Sequence, residues 1–190
     1  MLRLYDEAIG GTGSSVVLDL IDASALLWRL YLRGVPVGGR FAPVADRWLQ
    51  VGGTGQYAFN DLHAMFTFVA ADRSAAQQAC LEAMREAMDS PRDNAEFTRE
   101  VGYSAAMAIQ AFGHGDHARA ATLLRSVRNA AHRFGGSHAQ RDVIDLTLIE
   151  AAGRSGDRPL AGALAAERLA RRPHSRLAQR QSAQYRMHRT

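Results

Sequence analysis

Helical projection gathers most of the chemically active side chains of this sequence onto short stripes. In SHAQRDVIDLTLIEA, Ser137 to Ala151, the residues His138, Arg141, Asp142 and Asp145 share one side of a helix, while Val143, Ile144, Leu146 and Thr147 turn away. His138 with Asp142 and Arg141 with Asp145 are four apart, the spacing at which opposite charges on a helix attract. In FNDLHAMFTFVAADR a second stripe carries Asn60, His63, Thr67 and Ala71, with Asp61 adjoining it. Asp19, Asp22 and Arg29 lie on nearby positions of LDLIDASALLWRLYLRG, and Arg99, Tyr103 and Gln110 do so on NAEFTREVGYSAAMAIQAFG. Acid, amide, imidazole and guanidinium groups in such stripes can hold a peptide's termini and backbone, or a small polar ligand, by charge-assisted hydrogen bonds. The structural alternative is that they cap helices and tie one element to the next. Ser137 and Gln140 have the spacing of a capping box, and Asn60 preceded by Phe59 reads as an N-cap with a hydrophobic staple.

His63, His132 and His138 are the candidate acids and bases. No serine or cysteine stands in a nucleophile motif, and Ser137 beside His138 makes no dyad, because adjacent helical residues point about 100° apart. His114 with His117, and His132 with His138, match no known ligand spacing, so neither a metal nor a cofactor is assigned. GGTGSS, Gly10 to Ser15, lacks the lysine of a phosphate loop and follows no strand; it reads as a flexible entry to the first helix. Trp28, Trp48, Phe66 and Phe68 read as packing between helices. The residues therefore point to a non-enzymatic protein or peptide binder. The alternative is a small-ligand hydrolase or sensor domain that uses His63 and His138 with neighbouring carboxylates.

Helical periodicity runs through nearly the whole chain, and alternation of the strand type is nearly absent, so the expected class is all-α. The helices pair into four hairpins with inner turns near Gly38, Arg73, Gly115 and Gly156, which are 35, 42 and 41 residues apart. That recurrence is the mark of a helical-repeat array, in which each hairpin buries its apolar face only by stacking on its neighbours. With 190 residues the chain has room for one sizeable core. All 23 basic residues are arginines, giving a formal charge of +4, yet Asp and Glu are interleaved with them except in the tail from Arg168 to Arg189. That interleaving argues against a nucleic-acid surface. Cys80, the single cysteine, lies in an apolar run and reads as a buried, inert thiol. There is no secretory signal pattern and no apolar run of membrane-spanning length, which predicts a soluble, cytoplasmic protein without a membrane partner.

Two segments, AFGHGDHARAATLL and AAGRSGDRPLAGALAAERLARRP, share a Gly-Asp turn followed by small residues, with Ala118, Ala121, Ala161 and Ala165 where close helix packing needs short side chains. Pro173 follows the last of these helices. This pattern resembles the tetratricopeptide repeat, although the early aromatic and Gly-Tyr positions are mostly missing and the spacing exceeds the usual length of about 34 residues. VVLDLIDASALLWRLYLRGV, YAFNDLHAMFTFVAA, NAEFTREVG and HRFGGSHAQRDVIDLTLIEAA are similar to the C-terminal half of the tetratricopeptide repeat protein 38 family, and the likeness covers nearly the whole chain. The resemblance implies a right-handed α-solenoid of about four hairpins over residues 1–175, with a basic tail or short capping helix at 176–190. It implies that first helices line a concave surface, so that Asp19, Asp22, Asn60, Asp61, His63, Arg99, Tyr103, His138, Arg141, Asp142 and Asp145 form a row along a polar groove. The likeness is to that family's C-terminal half alone, so the first helix is expected to expose an apolar end that favours a homo-oligomer.

Overall fold

A glycine in the left-handed region followed by an aspartate closes two of the hairpins in the same way. Gly115 and Gly156 take φ of +83° and +85°, a conformation that a Cβ disfavours. The next residue then caps the following helix: Asp116 accepts from the Arg119 N–H at 3.1 Å and Asp157 from the Leu160 N–H at 3.0 Å. The helices so joined are α7 (Tyr103–Gly113) with α8 (His117–Val127), and α9 (His138–Arg154) with α10 (Arg158–Arg171). Before them come α1 (Leu2–Tyr5), which runs into a π-helical turn at Asp6–Gly10, then α2 (Val17–Leu32) paired with α3 (Phe41–Val51), and α4 (Ala58–Ala70) paired with α5 (Ser74–Met88). A short α6 (Asn94–Phe97) passes through a π-helical turn at Thr98–Gly102 into α7, and α11 (Arg176–Tyr185) follows α10.

This computed structural model describes residues 2–10 and 13–186. Gly11 and Thr12 of the GGTGSS segment, and positions 187–190 of the expected tail, lie outside the described residues. Among the described residues every regular element is helical, and none of these helices is long and apolar enough to cross a membrane.

The first helices of the four hairpins meet at one aromatic cluster. Trp28 of α2 stacks on Phe66 of α4 with centroids 5.0 Å apart, and meets the edge of Phe112 of α7 at 5.7 Å. Its indole Nε1–H donates to Thr147 Oγ1 of α9 at 3.0 Å. All four side chains are buried, so an indole supplies both the apolar bulk and the polar bond that the threonine requires. Arg29 extends the same contact by donating to the Ala139 and Gln140 carbonyls, and Arg154 of α9 donates to the Leu32 carbonyl. Thus α2 packs on α9, more than a hundred residues away in sequence. Between these first helices, rings rather than solvent fill the space.

Trp48, Phe68 and Cys80 are buried as the sequence suggested. Trp48 Nε1–H donates to Ser24 Oγ at 2.9 Å, locking α3 to α2. At the outer edge of this hairpin, Val16 and Leu18 at the start of α2 and Leu49 and Val51 at the end of α3 remain exposed. At the other end, Tyr185 of α11 lies against Gly153 of α9, where any Cβ would collide with its phenol.

Candidate functional site

The two most distinctive segments of the sequence pack on each other. Phe134 meets Phe59 edge to face at 5.6 Å. Gly135 and Gly136 follow with φ of +98° and +74°. A Cβ on Gly135 would strike the Tyr57 hydroxyl, and one on Gly136 the Phe59 ring. The glycines therefore serve both the backbone turn and a close approach of the loop to α4. Ser137 then opens α9 with the expected capping box: its Oγ accepts the Gln140 N–H at 3.2 Å, and Gln140 Oε1 accepts the Ser137 N–H at 2.8 Å. One turn further, Arg141 Nη1 donates back to the Gly135 carbonyl at 3.2 Å and also to that of Gly136, and its Nη2 lies 3.5 Å from His138 Nδ1. Arg141 makes no ion pair with a carboxylate among the described residues.

The rest of the α9 stripe is held from α8 and α10. Arg168 of α10 grips both Asp142 oxygens, at 2.5 and 2.8 Å, with both side chains about nine-tenths buried. Arg172 approaches Asp142 at 3.2 Å. Arg128, at the end of α8, donates through Nε to Asp145 at 3.0 Å and forks onto Glu167 of α10 at 2.9 and 3.2 Å. The Glu167 bond and the nearby Asp145 hold the Arg128 guanidinium even more firmly protonated than usual, and Arg128 in turn lowers the Glu167 pKa. Arg171 completes the set by pairing with Glu167 at 2.5 Å. A cleft of about 280 Å³ opens beside this network, with His132, His138, Arg141 and Arg172 among its lining residues. An adjoining cavity of about 50 Å³ reaches Arg168.

The network yields a stability prediction. Arg168→Met is expected to destabilise the chain by about 2–3 kcal/mol, because it leaves a buried carboxylate with only the half-exposed Arg172 and the electrostatic pull of Arg29. Adding Asp142→Leu should recover part of that loss, since an apolar pair needs no charge compensation. Urea denaturation of the two singles and the double decides this: a double variant as unstable as the two losses summed rules out the buried-pair account.

The remaining predicted site residues divide between core and surface. Asp19 and Asp22 are exposed on α2, although Asp22 and Asp142 both act electrostatically on the partly buried Arg29. Arg99 is exposed and donates to the Met88 carbonyl, and Tyr103 Oη accepts from Arg85 at 3.0 Å. Asn60 stands within the first turn of α4, which begins at Ala58, so it does not cap that helix. The capping oxygen comes instead from Asn94, which accepts the Ala58 N–H at 2.9 Å and donates to the Gly55 carbonyl at 3.1 Å.

Asp61 and His63 lie in the core. Asp61 Oδ1 accepts the Gly55 N–H at 3.0 Å, while Oδ2 is buried without a partner. Burial raises its pKa to about 7, against the lowering effect of the Gly55 bond. His63 Nδ1 lies 2.7 Å from the Phe59 carbonyl, which requires a proton on Nδ1 and leaves Nε2 a buried acceptor without a partner. Burial lowers its pKa to about 4, and Arg29 adds to that lowering.

His138, Arg141, Asp142 and Asp145 line one cleft, but the pairs expected from their spacing, His138 with Asp142 and Arg141 with Asp145, do not form among the described residues: Asp142 is held by Arg168 and Arg172 and Asp145 by Arg128, arginines that the sequence reading overlooked. Arg168 and Arg171 lie three apart on α10 and Arg172 directly follows as its C-cap, a basic cluster that was readable. Among the described residues no group of three or more His, Cys, Asp or Glu side chains is arranged to hold a metal ion. What the arrangement offers chemically is a cleft with oriented cationic donors. No family model matches the chain, and no solved structure matches it.

Proposed function

We propose that this protein is a non-enzymatic interaction module of the tetratricopeptide-like class, related to the tetratricopeptide repeat protein 38 family. On this reading its hairpins form a tight right-handed stack, and a protein or peptide segment is held in the cleft beside α9. One observation carries the binding role: Arg141, fixed by two glycine carbonyls and facing no carboxylate partner among the described residues, shares that cleft with Arg172, His132 and His138. The two Gly-Asp turns of matching geometry support the repeat assignment. The alternative, hydrolysis by His63 and His138, has less behind it. His63 is sealed among Phe59, Phe66 and the α4 backbone, whereas His138 is exposed at the start of α9.

Binding of a fluorescent degenerate peptide pool, followed by anisotropy, tests the proposal. Saturable binding that weakens at least about tenfold in Arg172→Gln, as loss of a charge-assisted contact requires, supports it. Equal binding by the variant, or none by the wild type, removes the cleft as a peptide site.

A further inference from the structure

In the network beside the cleft, the guanidiniums of Arg128, Arg141, Arg168, Arg171 and Arg172 face the carboxylates of Asp142, Asp145 and Glu167, and the two arginines in excess are not spread evenly. Arg128 and Arg171 answer Asp145 and Glu167, and Arg168 alone engages both oxygens of Asp142. That leaves Arg141, which has no carboxylate partner among the described residues, and Arg172, which touches Asp142 through one nitrogen and keeps its side chain 44% exposed. Both line the 280 Å³ cleft, one from the start of α9 and the other at the end of α10.

We propose that this cleft binds a phosphomonoester dianion between Arg141 and Arg172, with the imidazoles of His132 and His138 beside it. Two charges on the ligand match the two left over by the protein. Three tetrahedral oxygens can accept from forks that arrive from different helices, whereas a carboxylate offers one charge and two coplanar oxygens. The site is pre-formed in two respects. The Gly135 and Gly136 carbonyls hold the Arg141 guanidinium, and the nearly buried Arg168 fixes Asp142, which in turn locates Arg172. His138 Nδ1 faces the Arg141 Nη2 donor at 3.5 Å and so acts as an acceptor, which puts the proton of the neutral ring on Nε2, free to donate to the ligand; His132 donates its Nδ1–H to the Asn129 carbonyl at 3.1 Å, so its Nε2 donates only when the ring carries a second proton. Asp142 and Asp145 also line the cleft, but each is already neutralised by an arginine. The source of the ester, a phosphorylated side chain, rests on the peptide-binding reading above; a free phosphate ester is the other source.

Two peptide pools that differ only in a central phosphoserine or serine, together with free phosphoserine and inorganic phosphate, separate these possibilities by anisotropy and calorimetry. The expected result is binding of the phosphorylated pool at least about tenfold tighter than its counterpart, a preference lost in Arg172→Gln and kept in Arg73→Gln, whose ion pair is with Asp46 of α3. Arg141→Gln serves as the second variant, with thermal unfolding as its folding control. If free phosphoserine or phosphate binds in an Arg172-dependent way while neither pool binds, the phosphate site stands and the peptide reading falls. If both pools bind equally, the phosphate site is overturned and the peptide reading stands. Absence of any phosphate binding, or binding indifferent to both Arg141 and Arg172, also overturns the site.

Discussion

Gly135→Ala is expected to lower stability by about 2–3 kcal/mol, seen as a clear drop in the urea midpoint with little change in slope. Two separate effects add. The backbone at Gly135, φ +98° and ψ −168°, lies in a region essentially reserved for glycine. The new methyl would also collide with the Tyr57 hydroxyl, which the loop approaches as it crosses the start of α4. Tyr57→Phe separates the two, because Tyr57 is 38% exposed and loses only an oxygen. In that background Gly135→Ala should regain about 0.5–1 kcal/mol, since the half-exposed Tyr57 ring can swing aside, and keep the larger backbone part. A Gly135→Ala variant within about 1 kcal/mol of wild type would remove both the strain and the close approach from the account. The same loop orients Arg141 through the Gly135 and Gly136 carbonyls.

The features legible in the sequence are those fixed by neighbours a few residues away. Asp116 and Asp157 cap helices three residues ahead, and Ser137 with Gln140 closes a box of the same reach, so the hairpins and the start of α9 could be read directly. Asn60 looked like the same kind of signal, but the cap of α4 is Asn94, 36 residues beyond Ala58, and local pattern carries no trace of that bond. The Trp28–Thr147 bond that brings α2 onto α9 spans 119 positions and was equally invisible.

A stripe shows which side chains share a face without showing what the face meets. His63 and His138 occupy similar places in their motifs. Yet α4 is buried along almost its whole length, and α9 begins at the surface. The clue was composition: AFNDLHAMFTFVA is apolar nearly all round, as an interior helix must be, whereas SHAQRD is not. The polar row therefore splits into core residues on α4 and cleft residues on α9, with ion pairs from α8 and α10 binding the latter in place.

That split gives α4 two titratable groups whose effects on stability run in opposite directions. Asp61 has its folded pKa raised from 3.8 to about 7. Between those values the unfolded chain has lost the proton and the folded chain keeps it, so stability falls as pH rises, by on the order of 4 kcal/mol in full. His63 has its folded pKa lowered from 6.5 to about 4. Between those values the unfolded chain carries the extra proton, so stability falls as pH drops, by on the order of 3 kcal/mol. Across the shared window, pH 4 to 6.5, the two slopes oppose each other in the wild type, and single variants should expose each one. Asp61→Asn keeps an oxygen for the Gly55 N–H and mimics the neutral acid, including its unpartnered donor. It should match wild type near pH 4 and exceed it by about 2–4 kcal/mol at pH 8. His63→Leu leaves the Phe59 carbonyl with its helical bond, so it should be near neutral at pH 8, within about 1 kcal/mol, and more stable than wild type by about 2–3 kcal/mol near pH 4.5. Chemical denaturation at three pH values measures both differences, and parallel pH profiles for wild type and both variants would show that neither group is held in the protonation state its burial demands.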